Sequence, residues 1–363
     1  MPEDRLQPAA LNALLKEANA RWQAGETSLT KLSPEEQVLR LGYAPGPGEE
    51  TLEQRMTAAT ARLAAAMAVA AGYPASFDWR NVGGKNFITP IRDQGGCGSC
   101  VAFGSTATVE GTFRVQRGDP NLVVDLSEAH LFYCVAKAQG RTCGNGWWVA
   151  PALDGYKGGI VDEACFPYTA VDQACNLCSD WQGRLTKITG WHTVASPSDM
   201  KTWLSSKGPL ATCFVVYNDF FSYSSGVYHH VTGGVAGGHC VCCIGYDDAQ
   251  GCWICKNSWG TGWGEGGFFR IAYGDCGIDS TMWAVEGIEE TGWQTNRRVI
   301  GLWSIDQDRN AWAYVDGIGW RKIASDSDNI FFDLLVQVAS AKTSNRPVNF
   351  YQQQGVIRQV YIL

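Results

Sequence analysis

Cysteine is missing before Cys97 and after Cys276, although the chain holds 14 of them. Thiol and disulfide chemistry is thereby excluded from both ends, and the distribution alone marks off a central unit. Positive charge is also short: 29 Lys and Arg stand against 36 Asp and Glu, a formal charge of −7, with no basic cluster. Phosphate backbones are bound by clustered Lys and Arg, so no nucleic-acid partner is expected. Long apolar runs are absent. The stretch Leu63 to Ala71 is Ala-rich, follows Arg62 and falls far below the ~20 residues that a bilayer crossing requires, so a packed or amphipathic helix is expected and no membrane span. Met1 to Arg5 carry charge with no apolar stretch behind them, so no secretory leader is legible there. Histidine is scarce at 5 residues, which leaves few candidates for any imidazole-dependent site.

What is present is concentrated in the middle. So many cysteines in a chain of this length point to several disulfides and to an oxidising compartment: secreted, periplasmic or lysosome-like. Three C-x-x-C pairs, Cys97 with Cys100, Cys175 with Cys178 and Cys252 with Cys255, keep a zinc module as an alternative. Residues 1 to about 72 are rich in Ala, Leu, Glu and Gln with helical spacing at Leu11, Leu14, Leu15 and Ala18, so this segment is predicted to be mostly helical. Ser33, followed by Pro34, Glu35 and Glu36, reads as a helix N-cap, and Tyr43 to Glu50 as a break. From Phe77 the composition turns to Gly, Cys, Trp and β-branched residues. Cys100 to Gln116 reads as one long helix, and Val241–Ile244, Trp253–Lys256 and Phe268–Ala272 as strands between Gly-rich turns. After Glu286 the clusters around Trp303, Trp312 and Trp320, and again from Phe350 to Leu363, suggest a small β domain whose aromatics form its core.

The chemistry lies in three stretches. Gln94-Gly95-Gly96-Cys97-Gly98-Ser99-Cys100 precedes the long helix, which puts Cys100 at a helix N-terminus, where unpaired N–H groups favour a thiolate. A nucleophilic thiol needs a base. His239 stands at the entrance to a strand in Gly-Gly-His-Cys-Val, and Asn257 opens the turn after the next strand, where its amide oxygen accepts from the ring and fixes the tautomer. His130, His192 and the His229–His230 pair have no such partner downstream.

Asp93 to Phe103, Gly238 to Val241 and Asn257 to Gly264 resemble the three active-site blocks of the papain family of peptidases, and the resemblance runs from Phe77 to about Glu286 through Leu126-Ser127-Glu128, Cys143-Gly144-Asn145-Gly146 and Phe166-Pro167-Tyr168. It implies an α+β, two-lobed fold with a helical left lobe and a β-barrel-like right lobe. It implies Cys100 as nucleophile, His239 as general acid/base, Asn257 as the residue orienting the ring, and Gln94 as oxyanion donor together with the Cys100 backbone N–H. Trp259 covers the Asn257–His239 contact and Trp263 supports that loop. Substrate is expected against Gly98, Asn145, Gly146, Trp147, Trp148, Cys240, Trp259 and Thr281, an apolar and cramped pocket with no strong preference for Arg. The resemblance pairs Cys97 with Cys143 and Cys134 with Cys175, and more loosely Cys165 with Cys178; Cys213, Cys240, Cys242, Cys243, Cys252, Cys255 and Cys276 exceed the pattern. Val101 and Cys240 depart from the residues usual beside the nucleophile and the histidine.

By the same resemblance, residues 1–72 are an inhibitory helical propeptide that crosses the cleft opposite to substrate, with activation near Tyr73-Pro74, and Trp22-Gln23-Ala24-Gly25 followed by Leu41-Gly42 is similar to the short proregion of cathepsin B-like enzymes. Residues 73–286 are then the catalytic domain and 287–363 a small β-rich C-terminal domain. The expected partners are protein or peptide substrates and the chain's own propeptide, the expected state a monomer, and no cofactor or metal is implied. The competing reading is an inactive homologue that binds proteins or glycans.

Overall fold

The computed structural model describes residues 7–57, 72–289, 292–316, 318–353 and 355–363; the predicted helix over Leu63–Ala71 and the charged Met1–Arg5 lie outside them. The chain divides into two compact units, Met1–Ile288 and Glu289–Leu363.

In the first unit, a helix at Pro8–Glu17 buries Leu11 and Leu15, four residues apart on one face. A strand, β1 (Trp22–Ala24), follows, then a helix at Pro34–Val38 closed by a reciprocal capping box between Ser33 and Glu36, and a helix at Leu52–Thr57. Among the described residues of this segment, extended stretches join the helices; extended chain covers about 3.3 Å per residue against 1.5 Å in a helix, which lets these stretches reach from a sheet edge into a groove.

The long helix spans Cys100–Arg117 and ends on Gly118 in the left-handed conformation, φ 61°. With the helix at Val149–Gly158 it builds one core, around Val101, Val109, Leu131, Phe132, Trp147 and Leu153. The other core lies on a sheet made of β2 (Ser76–Asp78), β3 (Lys187–Val194), β4 (Leu210–Tyr217), β5 (Tyr223–Tyr228), β6 (Val235–Asp247), β7 (Cys252–Lys256), β8 (Phe268–Ala272) and β9 (Met282–Glu289), together with β1. The order is β1-β5-β8-β7-β6-β4-β9-β3, with β2 on β6. This is an open path rather than the barrel expected, because its two ends, the N-terminal β1 and β3, do not pair. Side chains alternate across β6: Val241 and Cys243 join the aromatic core with Phe214, Trp259 and Phe269, whereas Cys240 faces the helical core.

The second unit is a six-stranded sheet, β10 (Gly292–Arg297), β11 (Val299–Ser304), β12 (Ala311–Val315), β13 (Gly319–Ile323), β14 (Val348–Gln353) and β15 (Val356–Ile362), in the order β10-β14-β15-β13-β12-β11. It also contains a helix, Asp328–Ser344, which the reading as a β domain did not anticipate. Its core is aliphatic, built from Val299, Val315, Ile323, Leu334, Val338 and Ile357 with Phe331 and Phe350. The expected tryptophan core is therefore corrected: Trp303, Tyr314 and Trp320 are 45%, 37% and 46% exposed. The reason is the strand period, since Ala311, Ala313 and Val315 take the inward positions of β12 and leave Trp312 and Tyr314 on the opposite face.

Candidate active site

The approach to Cys100 is pinned by covalent and backbone bonds. A disulfide joins Cys97 to Cys143, the Gly98 N–H donates to the Cys143 carbonyl at 2.9 Å, and Gly95 turns the chain at φ 59°. Further disulfides join Cys134 to Cys175 and Cys165 to Cys178; the other eight cysteines are free and buried. Cys100 is the first residue of the long helix, so its N–H has no intrahelical acceptor. The thiolate expected there is not favoured in this state. Burial pushes the Cys100 thiol well up, and the backbone of Cys240, Gly42 and Val101, hydrogen-bonding to the sulfur, only partly offsets it.

His239 is carried by β6 and is fully buried. Its Nε2 lies 2.8 Å from Asn257 Oδ1, at the exit of β7, and its Nδ1 is buried with no hydrogen-bond partner. An amide oxygen only accepts, so Nε2 carries the proton and Nδ1 keeps its lone pair. Burial lowers the ring to about 4, against the opposing effect of the Asn257 bond, so the imidazole is neutral. Trp259 lies across the ring at 4.6 Å between centroids and 30° between planes, and Trp263 packs on Trp259 edge-on. Behind Asn257, buried Lys256 donates to Thr89 at 2.8 Å and Thr89 donates to Glu110 at 2.6 Å, which ties β7 to the long helix. Gln94 Nε2 donates to the carbonyls of Cys97 at 2.8 Å and Arg40 at 3.1 Å, while Ser258 Oγ donates to its Oε1 at 2.7 Å. Ser258 was not picked out from the sequence; its place directly after Asn257 is the only signal it carries there.

The groove beside Cys100 is filled by residues 40–44. Gly42 and Tyr43 donate to the Gly238 carbonyl at 3.2 and 3.0 Å, Trp147 N–H donates to Gly42 at 2.8 Å, and Ala44 N–H donates to Trp147 at 2.9 Å; the Tyr43–Trp147 bridge is parallel. A Cβ on Gly42 would stand 1.9 Å from the Gly98 carbonyl, and one on Gly146 would stand 2.1 Å from the Gly42 carbonyl, so only glycine admits this approach. Gly98, Gly146 and Trp147 thus line the occupied groove, and Gly46 abuts the ring of Trp148. Tyr43 is buried in one cluster with Cys100, Trp147, Cys213 and Cys240. Its hydroxyl donates to Glu49 at 2.7 Å and accepts from buried Arg55 at 2.9 Å, whose other arm donates to the Cys213 carbonyl at 3.0 Å. Asn145 is exposed and bonds within its own loop, to Thr142 and Gly140, and Thr281 donates to the adjacent Ser280 carbonyl. Arg55 also packs on the Cα of Gly277 beside its bond to the Cys213 carbonyl. Cys213 was not picked out from the sequence, because the β4–β6 register rather than motif spacing sets it opposite Cys240.

A family model described as papain family cysteine protease matches residues 73–285. Cathepsin B-like CP3 of Giardia intestinalis is 38% identical over 224 residues, covering 58% of this chain and 73% of its own. The cathepsin L-like proteinase of Fasciola hepatica is 35% identical over 215 residues, covering 57% and 64%. Among solved structures, procathepsin L2 from Tenebrio molitor larval midgut superposes with a TM-score of 0.61 at 28% identity, covering 77% of this chain and 88% of that one. ProCathepsin B S9 from Trypanosoma congolense shares the fold with a TM-score of 0.63 at 24% identity, covering 78% and 99%.

Proposed function

The chain belongs to the papain family of cysteine proteases, and we propose that it is a zymogen in which Cys100, His239, Asn257 and Gln94 form the catalytic set and residues 1–72 the inhibitory segment. On this reading 73–286 is the catalytic domain and 287–363 an appended one. The observation that carries the proposal is His239: one ring nitrogen is tied to Asn257 and the other is buried and unpartnered, on the strand whose next residue reaches Cys100. In the opened site Nδ1 takes the Cys100 proton and the sulfur attacks the substrate carbonyl. The oxyanion forms against Gln94 Nε2 and the Cys100 N–H, and the imidazolium then protonates the leaving amine. Water hydrolyses the thioester by the same route.

The zymogen reading is supported by the Arg40 carbonyl, which takes the very Gln94 N–H that the oxyanion needs, and by Gly42, which holds the groove backbone. The three disulfides fit an oxidising compartment, and a secreted, periplasmic or lysosome-like site is part of the proposal. The test is hydrolysis of fluorogenic dipeptides under reducing conditions after mild acid treatment of the full chain, beside a Cys100→Ala variant. The parent is expected to gain activity as the N-terminal segment is cut away, and the variant to stay silent. Equal signals from both would discard the proposal.

A further inference from the structure

The groove wall beside the nucleophile carries chemistry that peptide hydrolysis does not use. β4 and β6 pair in a register that sets Cys213 directly opposite Cys240. Directly opposed residues of antiparallel strands have Cα atoms about 4.5–5.5 Å apart, inside the about 4.4–6.8 Å that a disulfide spans. Both thiols are free and fully buried, and both belong to the cluster that holds Cys100, Tyr43 and Trp147. A second opposed pair, Cys243 and Cys255, sits on the other face of the sheet among Phe214, Trp253 and Trp259. Over Cys213 and Cys240 stand residues of the N-terminal segment: Arg55, bonded to the Cys213 carbonyl, and Glu49, whose charge reaches both thiols. Departure of the segment removes that cover.

We propose that Cys213 and Cys240 are a reversible dithiol in the wall of the substrate groove, oxidised by small-molecule disulfides such as glutathione disulfide once the N-terminal segment has left. This rests on reading the groove as the peptidase site. The Cys240 sulfur, its proton lost to solvent, attacks one sulfur of the small disulfide and expels a thiolate; the deprotonated Cys213 sulfur then attacks Cys240 in the mixed disulfide and expels the second. Two protein thiols and one small disulfide become one protein disulfide and two small thiols. The two sulfurs are drawn to about 2.05 Å and both S–H donors vanish, which reshapes the wall that meets substrate.

The test uses the full chain carrying Cys100→Ala, with an external protease site inserted ahead of Tyr73 so that the segment can be cut and removed without self-processing. Cut and uncut proteins are incubated with glutathione disulfide, alkylated, and mapped by non-reducing mass spectrometry. A Cys213–Cys240 cross-linked peptide is expected in the cut protein and not in the uncut one. Its absence from the cut protein overturns the proposal, and its presence in both overturns the gating by the segment. In the enzyme with Cys100 intact, oxidation followed by brief mild thiol treatment to clear Cys100 is expected to shift KM for peptides about threefold from the reduced baseline. A Cys213→Ser variant is expected to return to its own baseline; an equal shift in that variant overturns the assignment. Mapping needs no catalysis, so silence of the reduced enzyme with intact Cys100 sinks the peptidase reading and leaves this result readable.

Discussion

Burial holds His130 and His239 neutral, each lowered to about 4 from an ordinary value of 6.5. Between these values the unfolded chain binds a proton on each ring and the folded chain does not. Each ring therefore costs stability as pH falls from about 6.5 to about 4, by at most about 1.4 kcal/mol per pH unit, and nothing further below. Buried Glu110 and Glu128, raised by desolvation, act in the opposite sense, so the histidine effect is read as a difference. In a Cys100→Ala background, urea unfolding at pH 6.5 and 4.5 is expected to show a flatter pH dependence for His130→Asn than for its parent, by about 1 kcal/mol per unit; equal slopes would refute the neutral-ring assignment. At Gln94, loss of the side-chain amide is expected to lower kcat about a hundredfold with little change in KM, as measured by steady-state kinetics of the activated enzyme. Cys100, His239, Asn257 and Gln94, the proposed catalytic set, could be singled out at this scale because the proposed chemistry demands those residue types at those places. The protonation of Cys100 could not, since it follows from complete burial of the thiol in the folded site, which no motif spacing records.

Elements set how the groove is closed. The parallel bridge of Tyr43 to Trp147 and the two bonds to Gly238 act only while Gly42 passes the Gly98 carbonyl, so Gly42→Ala is expected to loosen the segment. The measurable outcome is hydrolysis by the uncut chain at least about tenfold above parent, since about 1.4 kcal/mol of lost contact gives that factor. Unchanged latency would mean that the segment is held elsewhere. The Cys165–Cys178 disulfide closes a short loop with a sequence separation of 13. Replacing both cysteines with Ala is expected to cost about 2–3 kcal/mol in denaturant unfolding. The Cys100–Arg117 helix was readable from its apolar periodicity. The Asp328–Ser344 helix was overlooked although Ser327 caps it, Phe331, Leu334, Val338 and Ala341 mark one face, and Asn345 ends it at φ 52°. Its Phe, Val and Ile content fits a strand as well, and only the spacing separates the two.

At the scale of the whole molecule, the second unit owns a hydrophobic core drawn from its own strands and helix, and the first unit owns the site. A chain ended at Glu289 is expected to keep acid-activated hydrolysis within about twofold of the full chain, because domains with separate cores fold separately; a larger loss would show that the peptidase depends on its appendage. The sequence by itself determined the family and the two-lobed α+β architecture, and it singled out the residues of the proposed site, because the proposed nucleophile, base and orienting amide are constraints of chemistry written in local motifs. Tertiary structure alone decided that Arg40 takes the Gln94 amide, that Arg55 reaches the Cys213 carbonyl and Gly277, and that the tryptophans of the second unit stay outside its core. Each of these depends on which strand lies beside which and on which face a residue turns. A one-residue change of register reverses that facing while leaving every local motif intact.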